Sequence, residues 1–263
     1  MKEHPILFKG EMVRAILAGV KSQTRRVLRL PDDARMVSYW DTPSHRPQEG
    51  WADPGVNYWT QNGNHIDACP YGFPGDRLWV RETWCPYDRT DGSPYLKGPS
   101  PKEKPEGVGV IYKADIPDSE GWRPSIFMPR WASRILLDVV GVRVERVQDI
   151  TEEDARAEGT TLYEHYSNRH AFAELWDSIN AKPRPVYSTD DTGRKTIAYY
   201  ESFPWEDVRE NRTYRGKPWF VNGNPWVWVV AFNGPVTESR IGADECPPCA
   251  GGETVAAAAG GVL

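Results

Sequence analysis

Gly19-Val20-Lys21-Ser22-Gln23-Thr24-Arg25-Arg26 is the stretch from which the fold and the chemistry of this chain are read. Within a few residues it offers a glycine turn, an amine, two hydroxyls and two guanidiniums. Immediately upstream, Val13, Ile16, Leu17 and Val20 fall at i, i+3, i+4 and i+7, which predicts a helix over 11–18. Gly19 stands where a left-handed C-terminal cap would stop that helix. Lys21 to Arg29 then leave it as a basic, extended segment. The polar groups thus sit where a helix hands over to a strand.

Charge is distributed unevenly around this stretch. Residues 1–30 carry Lys2, Lys9, Arg14, Lys21, Arg25, Arg26 and Arg29 against only Glu3 and Glu11, a local balance of +5. The whole chain of 263 residues has a net charge of −5, so the remainder sums to −10. A basic patch on an acidic protein fits a local anion site better than a surface that wraps DNA by bulk charge. An ordinary solvated basic face gives the same count.

Further along, Leu78, Val80 and Glu82 alternate with Trp79, Arg81 and Thr83, a strand after the Pro74-Gly75-Asp76 turn. Ile135, Leu137 and Val139 alternate, and Val140, Val142 and Val144 continue on the opposite parity, which predicts a β-bulge beside Gly141. Thr151 with Asp154 fits a capping pattern, giving a short helix that ends at Gly159. Ala171, Phe172, Leu175, Trp176 and Ile179 mark a third helix, and Pro225 opens a final strand from Trp226 to Phe232. Residues 31–74, 86–108 and 181–224 are rich in turn formers or polar residues and read as loops. The expected class is α+β in a single domain over 1–236. Insertions are expected at about 35–70, 86–110 and 182–222, and a Gly/Ala-rich tail over 237–263 is expected to be disordered.

The basic stretch permits two chemistries. Its guanidiniums and hydroxyls suit an anion or a polar base edge. Alternatively, Lys21, crowded by Arg14, Arg25 and Arg26, has reason to lose its proton and act as a base for the Thr24 hydroxyl, three residues away. A basic strand with exposed side chains accounts for the spacing equally well.

The same residues resemble a known family. The stretch from Gly19 matches the G-x-K-x-x-x-x-R signature of ASCH domains. Three further stretches follow in the family's order: Gly75 to Glu82, Ile150 to Gly159, and Trp226 to Phe232. Pro5-Ile6-Leu7-Phe8 and Arg123 to Ala132 are similar to a longer branch met in bacteriophages and prophages. The resemblance implies a PUA-like β-barrel with flanking short helices and a cleft that binds RNA or a modified base. One small bacterial subgroup hydrolyses N4-acetylcytidine with a lysine, a threonine and a glutamate. Carried over, these fall on Lys21, Thr24 and Glu158. Thr24 would attack the acyl carbon, Lys21 would take its proton, and Glu158 would position Lys21 or protonate the leaving amine. Glu158 against Lys21 would also tend to keep that lysine charged, which opposes the base role.

Nucleobase- or anion-binding candidates are Gly19, Arg25, Arg26, Glu82, Trp79 and Arg130. Glu82 could accept from an exocyclic amine. Five tryptophans on or beside strands (Trp79, Trp84, Trp131, Trp226 and Trp228) include candidates for base stacking, worth ~1–3 kcal/mol per base, although most belong to the core. Three function classes follow: a nucleic-acid or modified-nucleobase binder, an amidohydrolase of N4-acylated cytidine, and a phage accessory module that binds another protein. The expected partner is a nucleoside or single-stranded, modified nucleic acid, with no cofactor and no membrane.

Composition narrows the rest. With 39% hydrophobic and 26% charged residues the balance is that of a globular chain. No window approaches the ~20 apolar residues of a membrane helix, and the N-terminus lacks a secretory layout. The expected location is the cytoplasm of a bacterial or phage-infected cell. Four cysteines make a disulfide scaffold unlikely. Cys246-Pro247-Pro248-Cys249 has half the spacing of a zinc site. His65, Cys69 and Cys85 are not spaced to complete it, so no metal site is expected.

Overall fold

The computed structural model describes residues 1–29, 69–95, 102–117, 121–160 and 167–235. Most of the predicted 35–70 insertion, His65, and the tail with Cys246 and Cys249 lie outside the described residues. The fold is α+β, with most of its regular structure in sheets and three short helices among the described residues.

The central sheet uses β1 (Glu3–Leu7), β2 (Gln23–Val27), β3 (Arg77–Arg81), β6 (Leu136–Arg146) and β11 (Trp226–Asn233), in the order β1-β3-β6-β11-β2. β1 and β3 pair in parallel; the other neighbours are antiparallel. Between β11 and β6 the register steps from Ala231↔Gly141 to Phe232↔Val139. Val140 is thus the extra residue of the predicted bulge and is left exposed. The bulge does not close the expected barrel: among the described residues the sheet is open, with β1 and β2 at its edges. A side chain bridges those edges at one end, where Arg26 Nη2 donates to Leu7 O at 2.6 Å.

The pleat of β11 shows how the core divides. Val230 and Phe232 face one side, with Ile6, Leu78, Val80, Leu137 and α1 (Gly10–Leu17), which contributes Val13 and Ile16. Val227 and Val229 face the other side, against Ile150, Ala155, Phe172 and Trp176. Burying each such side chain is worth ~1.5–3 kcal/mol, so both faces of the strand are fixed by packing. α2 (Glu152–Ala157) starts at Thr151, whose hydroxyl accepts from Asp154 N–H at 3.1 Å. α3 (Asn168–Asn180) is tied to it by Glu152, which accepts from Asn168 N–H at 2.8 Å.

Two expected loops are corrected. Residues 181–224, read as irregular, form a second sheet of β7 (Arg184–Thr189), β8 (Lys195–Ser202), β9 (Arg209–Tyr214) and β10 (Lys217–Asn222), in the order β7-β8-β10-β9. Most of its side chains are at least partly exposed, so the apolar alternation that marks a strand is weak. Aromatic pairs stand in for it: Tyr200–Tyr214 at 4.9 Å and Tyr199–Phe220 at 5.2 Å between ring centres. Within 86–108, β4 (Trp84–Asp88) pairs with β5 (Val108–Tyr112) to give a strand pair rather than a plain loop. No helix among the described residues is long and apolar enough to cross a membrane.

Candidate functional site

Gly19 has φ +72, the left-handed value its position predicts, and it ends α1. Val20 and Lys21 donate their N–H groups back to Ala15 O at 2.9 and 3.1 Å. This turn drops Lys21 against the end of α2. There Gly159, at φ +80, passes so close that a Cβ would lie 3.0 Å from Lys21 Cβ. Ser22 N–H donates to Ala157 O at 2.8 Å, which locks the two segments together.

Two members of the sequence-predicted trio, Lys21 and Glu158, are in direct contact. Lys21 Nζ donates to Glu158 Oε2 at 2.7 Å and to Glu158 O at 2.8 Å, and both side chains are essentially excluded from water. Burial pushes the Lys21 ammonium below its ordinary value. Glu158 works against that shift, and Arg26 and Arg25 add to it. Arg14, expected to help depress Lys21, instead donates to Ala114 O at 3.1 Å. Thr24 is buried and lines a cavity that Glu158 also lines. Among the described residues no hydrogen bond joins its hydroxyl to Lys21, whose donors go to Glu158.

Arg25 has a different task from the anion contact expected of it. Its guanidinium is wholly buried and donates to Glu145 Oε1 (2.6 Å), Asp154 Oδ2 (2.9 Å) and Glu158 Oε1 (3.2 Å). Arg143 pairs with Glu145 at 3.0 Å and also with Asp154, and Gln23 Nε2 reaches Asp154 Oδ1 at 3.0 Å. The sheet register explains this network, because Arg25 and Arg143 both stand opposite Val229 on one face. Five charges and an amide so arranged hold Glu158, and through it Lys21, in fixed positions.

The cavity has a volume of about 350 Å³ and borders β2, α1 and α3. Its apolar wall is Phe172, Leu175, Trp176, Ile179 and Phe203; its polar wall is Thr24, Arg26, Arg29, Tyr71, Asn180 and Arg184, with Arg25 and Glu158 at the base. β2 pairs only with β11 among the described residues, and four of its residues, Thr24 to Val27, line this space. Arg26 lies over the Phe8 ring at 5.2 Å, and its Nε is buried without a partner among the described residues. Burial pushes the Tyr71 phenol up, opposed by Arg26.

The remaining candidates lie elsewhere. Glu82 is buried and takes a two-pronged contact from Arg134, at 2.9 and 3.1 Å. Trp79 stacks on Arg81 at 4.7 Å, and Arg130 pairs with Glu3 at 2.6 Å. None of the five tryptophans singled out from the sequence lines the cavity; Trp176 of α3 does. Sequence reasoning passed over Arg184, Asn180 and Tyr71. Arg184 lay in a segment read as irregular, and the one available signal for it was an arginine just beyond an amphipathic helix. The apolar stripe of α3 reads from the sequence as an amphipathic helix, with no role in the site attached to Phe172 or Trp176.

An aromatic and aliphatic wall facing guanidiniums, an amide, a phenol and an open strand edge can hold a flat, polar, partly anionic molecule. No protein-family model, no curated protein and no solved structure matches this chain.

Proposed function

We propose that this chain is a PUA-like ASCH domain whose cavity binds a nucleobase, in a nucleoside or in single-stranded or modified nucleic acid. The observation that carries this reading is that Phe172 and Trp176 line one cavity together with Thr24 to Val27 of the edge strand β2. A base inserted there would rest on the aromatic wall, and its polar edge would meet backbone groups, Thr24 and Asn180. The volume, about 350 Å³, suits a nucleoside-sized ligand. Equilibrium titration with the common nucleosides, N4-acetylcytidine and a short single-stranded oligonucleotide tests the reading. Leu175→Trp, a substitution on a partly exposed wall position, would fill the cavity. Binding by the wild type that this variant abolishes supports the reading; equal binding by both refutes it.

The second reading is amide hydrolysis of an N4-acylated cytosine. What favours it is the buried Lys21–Glu158 pair behind a cavity-lining threonine, with burial favouring the neutral amine. In that reading the Thr24 oxygen attacks the acyl carbon as its proton passes to neutral Lys21, the amine leaves with that proton, and a water then cleaves the Thr24 ester, releasing acetate and restoring the hydroxyl. Thr24→Val separates the readings. It removes the nucleophile with little change of shape, so a hydrolase loses acetate release while a binder loses at most one hydrogen bond.

A further inference from the structure

The guanidiniums of the cavity are not all accounted for by a nucleobase. Among its lining residues are Arg25, Arg26, Arg29 and Arg184, with Glu158 as the one carboxylate. Arg25 and Glu158 satisfy each other within the buried network. That leaves Arg26, Arg29 and Arg184 at the cavity, with Glu201 beside two of them. Glu201 pairs with Arg29 and stands opposite Arg184 in the register of β7 and β8.

These three guanidiniums come from separate parts of the chain. Arg26 is on the edge strand β2 and Arg29 lies just beyond it. Arg184 opens the second sheet, where one of its nitrogens donates to Ile179 O at 2.6 Å and to Asn180 Oδ1 at 2.9 Å, fixing it at the end of α3. Arg26 is held in part by Leu7 O, yet its Nε is buried with no partner among the described residues. A buried, unpaired guanidinium N–H is costly and is relieved by an acceptor. The arginines also feel one another. Burial and then Arg29 hold Arg184 below its ordinary value, and Arg184 adds to the effect of burial on Arg26. Like charges gathered around a cavity are stabilised by an anion, and guanidiniums match the oxygens of a phosphate in pairs.

We propose that Arg26, Arg29 and Arg184 form a phosphate subsite, so that the cavity takes a phosphorylated nucleotide unit in preference to a free nucleoside. This rests on the nucleobase reading for the rest of the ligand. The phosphate is supplied either by a terminal monoester or by the diester of a strand, and both present the same anionic oxygens. The second sheet thereby acquires a role, since it carries Arg184 to the site.

Isothermal titration of the full chain tests this with nucleosides, their 5′-monophosphates, dinucleoside monophosphates lacking a terminal phosphate, and inorganic pyrophosphate. The variants are Arg184→Gln and Arg29→Gln. Arg29 is 62% exposed, so its variant folds even if loss of Arg184 loosens the end of α3. The expected result is that a phosphorylated ligand binds tenfold or more tighter than its nucleoside, and that each variant removes most of this difference between the two ligands. Preference for the monophosphate identifies a terminal monoester, and preference for the dinucleoside identifies a strand. Equal affinity for nucleosides and nucleotides overturns the phosphate subsite and leaves the nucleobase reading standing. Pyrophosphate binding that the variants abolish, with no nucleoside binding, supports the subsite and overturns the nucleobase reading. Absence of binding by every probe overturns both.

Discussion

Replacing Glu158 by Gln tests whether Lys21 is held as a buried ion pair or merely covered. Lys21 and Glu158 are 0% and 4% exposed in their side chains, so water does not replace the lost carboxylate. Arg25 keeps Glu145 and Asp154, so the stranded cation is Lys21. Removing one partner of such a pair costs about 3–5 kcal/mol. With a urea dependence of about 2–3 kcal/mol per molar, the unfolding midpoint falls by roughly 1–2 M. Lys21→Met costs less, because Arg25 Nη1 still holds Glu158 Oε1 at 3.2 Å. The double variant loses less than the sum of the singles, by about 2 kcal/mol. The pH dependence has a definite sign. Without Glu158 the folded pKa of Lys21 falls further below its ordinary value of 10.5, and the unfolded chain binds more protons between the two. Stability therefore rises with pH there, and the deficit at about pH 9.5 is smaller than at about pH 7. Urea denaturation followed by tryptophan fluorescence at both pH values measures each quantity. A loss under about 1 kcal/mol, or one independent of pH, would refute the reasoning.

Three further outcomes are expected. Thr151→Ala removes the cap that Asp154 N–H uses at 3.1 Å and lowers stability by about 1 kcal/mol, measured by the same unfolding curves. Arg134→Met strands the buried Glu82 carboxylate, whose pKa burial already raises against the opposing effect of Arg134. The folded state then binds more protons than the unfolded one, so the deficit of about 3–5 kcal/mol at about pH 8 shrinks as pH falls towards the carboxylate range; denaturation at two pH values reads this. Cys69 and Cys85 are buried and free, and burial pushes the Cys69 thiol up to about 11. Brief alkylation of the folded protein at about pH 8 therefore leaves both unmodified by site-resolved mass spectrometry, while denaturation exposes them.

The central sheet was legible because its strands and helices obey local rules. The Val13–Ile16 stripe, the Gly19 stop, the Thr151 cap and the Val140 phase slip each have a physical cause confined to a few residues. The second sheet was not legible. Its strands expose most of both faces, and Tyr199, Tyr200, Tyr214 and Phe220 support it by cross-strand pairing that no single segment displays. The site divides in the same way. Lys21, Thr24 and Glu158 were grouped by the resemblance; the structure pairs Lys21 with Glu158 and sets Thr24 and Glu158 on one cavity, with no hydrogen bond from Thr24 to Lys21 among the described residues. Arg25 looked like an anion contact because its partners are distant in sequence: Glu145 meets it through the register of the sheet and Asp154 through the packing of α2. Arg184 depends on the unexpected sheet, so nothing local marked it.

The claim on which the account turns is that the cavity between β2 and α3 receives a nucleobase. Saturation-transfer NMR on a mixture of adenosine, guanosine, cytidine, uridine and N4-acetylcytidine, with wild type beside Leu175→Trp, tests it most directly. The expected result is saturation of base protons above ribose protons for at least one nucleoside, abolished by the cavity-filling substitution. Saturation that persists unchanged in Leu175→Trp, or no transfer to any base while both proteins remain folded, would contradict it.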